Sequence, residues 1–431
     1  MPAATPLSAI LEQALRAATA DQVEATYTGN VEAATRFANN TITQNVSRHC
    51  ATLAVRVAFG RRVGRASVTD LSAESVRECV ARAEALARAS GEDTEFLPLP
   101  GPQSYPVVQG HDPAVAQATP ETRAAGIRSA LAAAREAGVT AAGSFTTTVS
   151  RFAVANNAGL YHEQPLTDTQ FVLTAITADS SGWAQQSGFR LSDLDPSACA
   201  ATAIRKAVAG REPHTVPPGE YTLVLEPAAT MDFFGFLGYA LDAKAAHEGR
   251  SAFSGLEGTR IGVPGIRLFT QPDYPVAPVL PLAEDGLPLP TTTWIADGVL
   301  ETLAYSRYWS SQSGHTFTGR PANLILAGGD RSTEDLIRSV PRGILVTRFW
   351  YIRFVDPMKL LLTGMTRDGL FWIEDGEIRH GLKNMRFNES PLRSLHHITA
   401  RGPEKRGGRY SPTCMPSLCV EDFRFTSGTA F

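Results

Sequence analysis

Two segments, residues 24–68 and 139–189, carry strand-like patterning interrupted by turn signals, and they restrict the possible folds more than any other feature of this chain. The first turns at Asn39-Asn40 and Gly60-Arg61, which divides it into a small meander. The second is rich in Thr, Val and Phe with breaks at Asn156-Asn157-Ala158-Gly159 and Ser180-Ser181-Gly182, which predicts long antiparallel strands. Helices are predicted around them. Leu7, Ile10, Leu11, Ala14 and Leu15 share one helical face. Ser72 is an N-cap for a helix over about 72–90, with Val76, Cys79, Val80, Ala83 and Ala87 at helical spacing. Thr119-Pro120-Glu121 opens a third helix ending near Gly138, and a fourth spans about 196–209. Five prolines between 96 and 118 make that stretch an extended crossing segment.

A chain of 431 residues exceeds the size at which one core stops growing, so about two domains are expected. The run 210–219 is polar, proline-rich and near the midpoint, and divides residues 1–212 from 219–431. The second half starts with a strand, Tyr221 to Leu225, then a helix from Pro227 toward Ala246, proline- and glycine-rich loops over 255–289, and short strands to the end. The expected fold is α+β: N-terminal helices packed on an antiparallel sheet, then a β-rich, barrel-like domain with a few helices.

Composition removes several classes of function. The net charge is -3 with no Lys/Arg block, so no nucleic-acid partner is expected. No window approaches 18 uncharged apolar residues and the first apolar stretch is broken by Glu12, Gln13 and Arg16, so neither membrane nor secretion is expected and the chain is placed in the cytoplasm. Cys50, Cys79, Cys199, Cys414 and Cys419 form no C-x-x-C pair and read as reduced, mostly buried thiols. No G-x-S-x-G elbow, P-loop or G-x-G-x-x-G occurs.

The residues that can carry chemistry cluster at Ala246-His247-Glu248-Gly249-Arg250-Ser251-Ala252-Phe253-Ser254. A helical zinc peptidase site needs two histidines about one turn apart and a glutamate beside the first. His247-Glu248 is half of that pattern, but positions 251 and 252 hold Ser251 and Ala252, neither of which replaces an imidazole. His315 lies in a glycine-containing loop and can line a groove; a plain loop residue is the simpler reading. His396-His397, on a predicted helix, point about 100° apart and cannot grip one metal from one face. Arg353, Asp356, Arg367 and Asp368 are embedded in apolar sequence and read as ion pairs between strands.

Residues 345–391 are the densest signature. Trp350-Tyr351-Ile352-Arg353, Val355-Asp356-Pro357, Leu361-Leu362-Thr363-Gly364-Met365-Thr366-Arg367-Asp368-Gly369, Ile373-Glu374-Asp375-Gly376-Glu377 and Asn384-Met385-Arg386-Phe387-Asn388-Glu389-Ser390-Pro391 follow one another in an order that resembles the C-terminal half of the TldD/PmbA (TldE) peptidase family. Leu53 to Ala89 also resembles the family's N-terminal domain.

The family holds zinc-carrying TldD-like subunits and metal-free TldE-like partners. The resemblance implies that the zinc subunit has a His-Glu-x-x-x-His helix and a cysteine in a glycine-rich stretch before the final strand. Here that stretch, Arg401 to Tyr410, has no cysteine, and Cys414 and Cys419 sit at the strand itself. Glu248-Gly249-Arg250-Ser251 and Phe253-Ser254 instead resemble the run of the metal-free partners. The reading is a TldE-like, non-catalytic subunit of a heterodimeric metalloprotease that trims small unfolded peptides, with no metal or other cofactor in this chain. Zinc is then expected in a TldD-like partner, homodimerisation is expected when the partner is missing, and His247, Glu248, Arg250 and His315 are the groove candidates. The alternatives are a peptidase with a displaced metal or a peptide-tailoring enzyme acting on its own, and a non-enzymatic scaffold of the gyrase-modulating kind.

Overall fold

The computed structural model describes residues 6–283, 286–408 and 412–429. The predicted meander is β1 (Gln22–Ala38), β2 (Thr41–Phe59) and β3 (Arg62–Val68), with Asn39 and Asn40 both at positive φ in the first turn. The second set is β4 (Thr140–Asn156), β5 (Tyr161–Ile176) and β6 (Ser181–Gly188). The two join through β1 and β4 into one antiparallel sheet of order β3-β2-β1-β4-β5-β6. The helix Ala73–Ala89, capped by Ser72, and the helix Pro120–Glu136, held by a Thr119–Thr122 capping box, fall where the caps put them.

Small residues set how closely the helices lie on this sheet. A Cβ added at Gly64 of β3 would meet the Ala83 carbonyl and the Ala87 nitrogen of helix Ala73–Ala89 at 2.1 and 2.4 Å. At the opposite edge, Gly182 of β6 stands in the same relation to Ala203 and Ala207 of helix Pro196–Ala209, at 2.2 and 2.4 Å.

The C-terminal sheet closes on itself. β7 (Gly219–Leu225) pairs in parallel with strand Arg342–Asp356 and antiparallel with Thr413–Gly428. Strands Leu361–Glu374 and Met385–Glu389 complete the circuit between those two, giving a five-strand ring, the barrel-like element expected from the sequence. Inside it Phe233 meets Phe234, Phe349, Phe387 and Phe423, with ring centroids 5.2–5.9 Å apart.

Three expectations are corrected. Three strands of the ring are long, 14, 15 and 16 residues, because each pairs with two or more partners along its length, while β7 and Met385–Glu389 are short as expected. The single helix from Pro227 toward Ala246 is three pieces, Pro227–Phe234, Leu237–Ala240 and Ala243–His247: Gly235 caps the first, and the Asp242 carboxylate accepts the Ala245 N–H to start the last. His396 and His397 are not helical; they follow the short turn Pro391–Ser394, and His397 Nδ1 lies 3.2 Å from the Asp422 carboxylate. Of the glycine-rich stretch 401–410, residues 401–407 are the end of strand Ile398–Gly407, while Arg409 and Tyr410 lie outside the described residues.

Candidate functional site

His247 is the last residue of its five-residue helix, and Gly249 follows at φ +71°, which ends helical spacing before position 251. Ser251 is buried, its hydroxyl donating to the Ala240 carbonyl at 2.6 Å and accepting from the Phe253 N–H. Ala252 is buried beside it. Cys414 packs with Phe269, Ala277 and Ile325, and burial pushes its thiol up to about 12. Cys419 lies among Val224, Leu345 and Phe371, its thiol raised for the same reason. The residues present therefore do not fit a zinc ion held by two helical histidines and a late cysteine.

The fold brings His247 to different neighbours. The indole N–H of Trp309 donates to His247 Nδ1 at 3.1 Å, and His247 Nε2 lies 3.2 Å from the Tyr305 hydroxyl. That hydroxyl donates to Glu257 Oε2 at 2.8 Å. The Tyr305 ring is fully buried and lies flat against His315, 4.4 Å away and 10° from parallel. Burial, then the Glu257 hydrogen bond and charge, raises the Tyr305 phenol well above its ordinary range, so it stays a donor. One donor atom from each of His247, Glu257 and His315 lies within 4.8 Å of the other two.

Local structure explains the convergence. Ala304 donates its N–H to the Leu241 carbonyl and accepts the Ala243 N–H, tying the chain before Tyr305 to the start of the helix that ends at His247. Ser306 caps the helix Arg307–Ser313 and so places Trp309, and Gly314, left-handed at φ +74°, turns the chain back to present His315. Thr318 accepts the Tyr305 N–H and returns its own N–H to the Tyr305 carbonyl, which anchors the far side of that loop.

Of the four groove candidates, His247 and His315 are brought together. Glu248 and Arg250 form an exposed ion pair with each other. Glu257, Tyr305 and Trp309 escaped sequence reasoning; they stand 10, 58 and 62 residues from His247, with no motif to connect them.

Between the sheets lies a second polar feature, a cleft of about 960 Å³ lined by Trp183, Lys206, Asp232, Arg348, Trp350 and Arg406. Ion pairs cross or border it: Lys206–Glu226 at 2.5 Å, Arg406–Asp168 at 2.5 Å, and Arg348–Asp368. The last joins adjacent strands, the role expected for Asp368; Arg367 lies 3.6 Å from the same carboxylate. Arg353 instead covers the Tyr351 ring, and Asp356 accepts the Met358 N–H and pairs with Lys359 within its own turn, not across strands. At the cleft floor Asp232 accepts the Phe349 N–H, and burial raises its carboxyl to about 7 against the opposing pull of that bond and Arg348.

Comparison with known proteins divides the chain into three segments, two of them within the N-terminal half. Residues 23–87 match the PmbA/TldA metallopeptidase domain 1, residues 113–211 its central domain and residues 218–427 its C-terminal domain. A metalloprotease of Methanothermobacter thermautotrophicus is 25% identical over 285 residues, 60% of this chain and 61% of that protein's length, so the chain spans under two thirds of this relative. The fold is that of TldE from Thermococcus kodakarensis (TM-score 0.88, 18% identity, 97% of this chain and 99% of the other). It is shared too by a Thermotoga maritima protein described as a candidate modulator of a DNA gyrase (TM-score 0.87, 19% identity, 98% and 100%). With three consecutive domain matches running from residue 23 to residue 427, the chain belongs to the TldD/PmbA family of metallopeptidases.

Proposed function

We propose that this chain is the partner subunit of a two-chain metallopeptidase acting on small unfolded peptides, in which a TldD-like chain supplies the family-type zinc and the general base. The observation that carries the reading is the state of the family's ligand positions: Ser251 has its hydroxyl committed to backbone, Ala252 has no donor, and both late cysteines are core thiols. Such a chain contributes by positioning peptide and closing a groove, which lowers a barrier without bond-making.

An exposed aromatic ridge supports a partner. Tyr239, Trp350, Tyr351, Phe354, Val355 and Met358 are all exposed. Tyr239 and Phe354 meet edge to face at 5.8 Å, and Tyr351, at φ +55°, sits in a bulge of strand Arg342–Asp356 that breaks its alternation. Exposed apolar side chains gathered along one strand and an adjoining helix mark an interface more often than an isolated one does.

The test is co-expression with a TldD-like chain from the same source. Peptide cleavage by the pair and by neither chain alone is expected, and Tyr239→Asp with Phe354→Asp should abolish co-purification. Cleavage by this chain alone, or partner activity indifferent to its presence, would overturn the reading.

A further inference from the structure

His247, Glu257 and His315 have a use that the partner-subunit reading does not supply. Two imidazoles and one carboxylate form a donor set for a borderline divalent cation such as Zn²⁺, and a poor one for Mg²⁺ or Ca²⁺, which take oxygen. We propose that these three residues form a zinc-class cation site that shares only His247 with the family's helical pattern, with three protein donors and a fourth position left for water.

The hydrogen bonds around the site define what each donor offers. His315 Nδ1 lies 3.1 Å from the Ser313 carbonyl, which can only accept, so in the neutral ring Nδ1 carries the proton and Nε2 the lone pair. A metal-binding imidazole is held this way, its other nitrogen donating to a backbone carbonyl. Among the described residues no hydrogen bond is made by His315 Nε2 or by the second oxygen of Glu257. The pieces are gathered by Tyr305, which stacks on one ligand, donates to the second and lies within hydrogen-bond distance of the third.

His247 is held differently. An indole N–H can only donate, so His247 Nδ1 uses the lone pair of its neutral ring on Trp309, and Nε2 carries the proton toward the Tyr305 hydroxyl. A neutral imidazole has one lone pair. Cation binding must therefore take Nδ1 from Trp309, or move the ring proton to Nδ1 and turn the indole N–H away; in both cases the Trp309–His247 hydrogen bond is lost. The donors must also close up, since a tetrahedral ion with bonds of about 2.0–2.1 Å needs donors roughly 3.4 Å apart and these are spread over as much as 4.8 Å. His315 is exposed and follows Gly314, so that movement falls on a surface loop.

The test is calorimetric titration of the chelator-treated full chain with Zn²⁺, in a Cys50→Ser background that removes the exposed thiol beside His49. One Zn²⁺ per chain is expected, with Mg²⁺ and Ca²⁺ giving no heat. His247→Ala and His315→Gln, both surface changes, should each weaken affinity at least tenfold, whereas His396→Ala should not. Trp309→Phe should tighten binding by removing the competitor for His247, an effect a structural role for Trp309 would not produce. Absence of binding at 100 µM Zn²⁺, or unchanged affinity in the His247, His315 and Trp309 variants alike, would overturn the proposal. Because the readout is binding by this chain alone, its failure leaves the partner-subunit reading standing, and the converse holds as well.

Discussion

Replacing Asp232 by asparagine tests whether the cleft floor holds a carboxyl in its protonated form. An unfolded aspartate ionises near 3.8, whereas burial raises Asp232 to about 7 in the folded chain. Between those values the folded protein keeps a proton that the unfolded protein has released. Its contribution to stability is therefore full below pH 3.8 and is lost as pH rises through 7. At about 1.36 kcal/mol per pH unit, the contribution falls by roughly 2.5 kcal/mol between pH 5 and pH 8. Asp232 keeps part of its surface against cleft solvent, which trims the expected change to about 1–2.5 kcal/mol. Asparagine still accepts the Phe349 N–H but cannot ionise, and every other titrating group is common to both proteins. Urea unfolding at pH 5, 6, 7 and 8 should show wild type losing stability relative to Asp232→Asn as pH rises. A wild-type-minus-variant difference that stays flat within about 0.5 kcal/mol, or that moves the other way, would refute the buried-carboxyl argument.

Gly64→Ala and Gly182→Ala each drive a Cβ to within 2.5 Å of helix backbone, which cannot yield as a flexible side chain can; each should cost about 1–3 kcal/mol and lower the thermal midpoint. Phe233→Ala removes the ring that four other aromatics contact inside the closed sheet and should cost about 3–5 kcal/mol in urea unfolding. Glu248→Ala breaks an exposed pair and should change stability by less than about 1 kcal/mol; a loss of peptide cleavage by the reconstituted pair at unchanged melting temperature would assign the segment to the groove, and full activity would not. Native protein should titrate one thiol rapidly with an aromatic disulfide, at Cys50, and all five after unfolding, since the other four are buried.

The local elements were written in the sequence because their causes are local. Ser72 and Thr119 accept N–H groups three residues away, Asn39-Asn40 takes up the left-handed turn that asparagine tolerates, and the alternation of Thr and Val residues sets the strands of the first sheet. Gly235, Gly238 and Asp242 were visible too, yet apolar periodicity across 227–246 outweighed them, and the chain breaks there into three helical pieces. The missing half of the metal pattern at Ser251 and Ala252 was likewise legible, because it depends on spacing within one segment. Tertiary structure alone decided which strands close the expected barrel, through β7, which requires strands separated by some two hundred residues to meet, and the meeting of His247 with Glu257, Tyr305, Trp309 and His315. Periodicity records which face of an element is buried. It carries no record of which distant loop the burial of Tyr305 will draw against the end of a short helix, and that placement determines what His247 can bind.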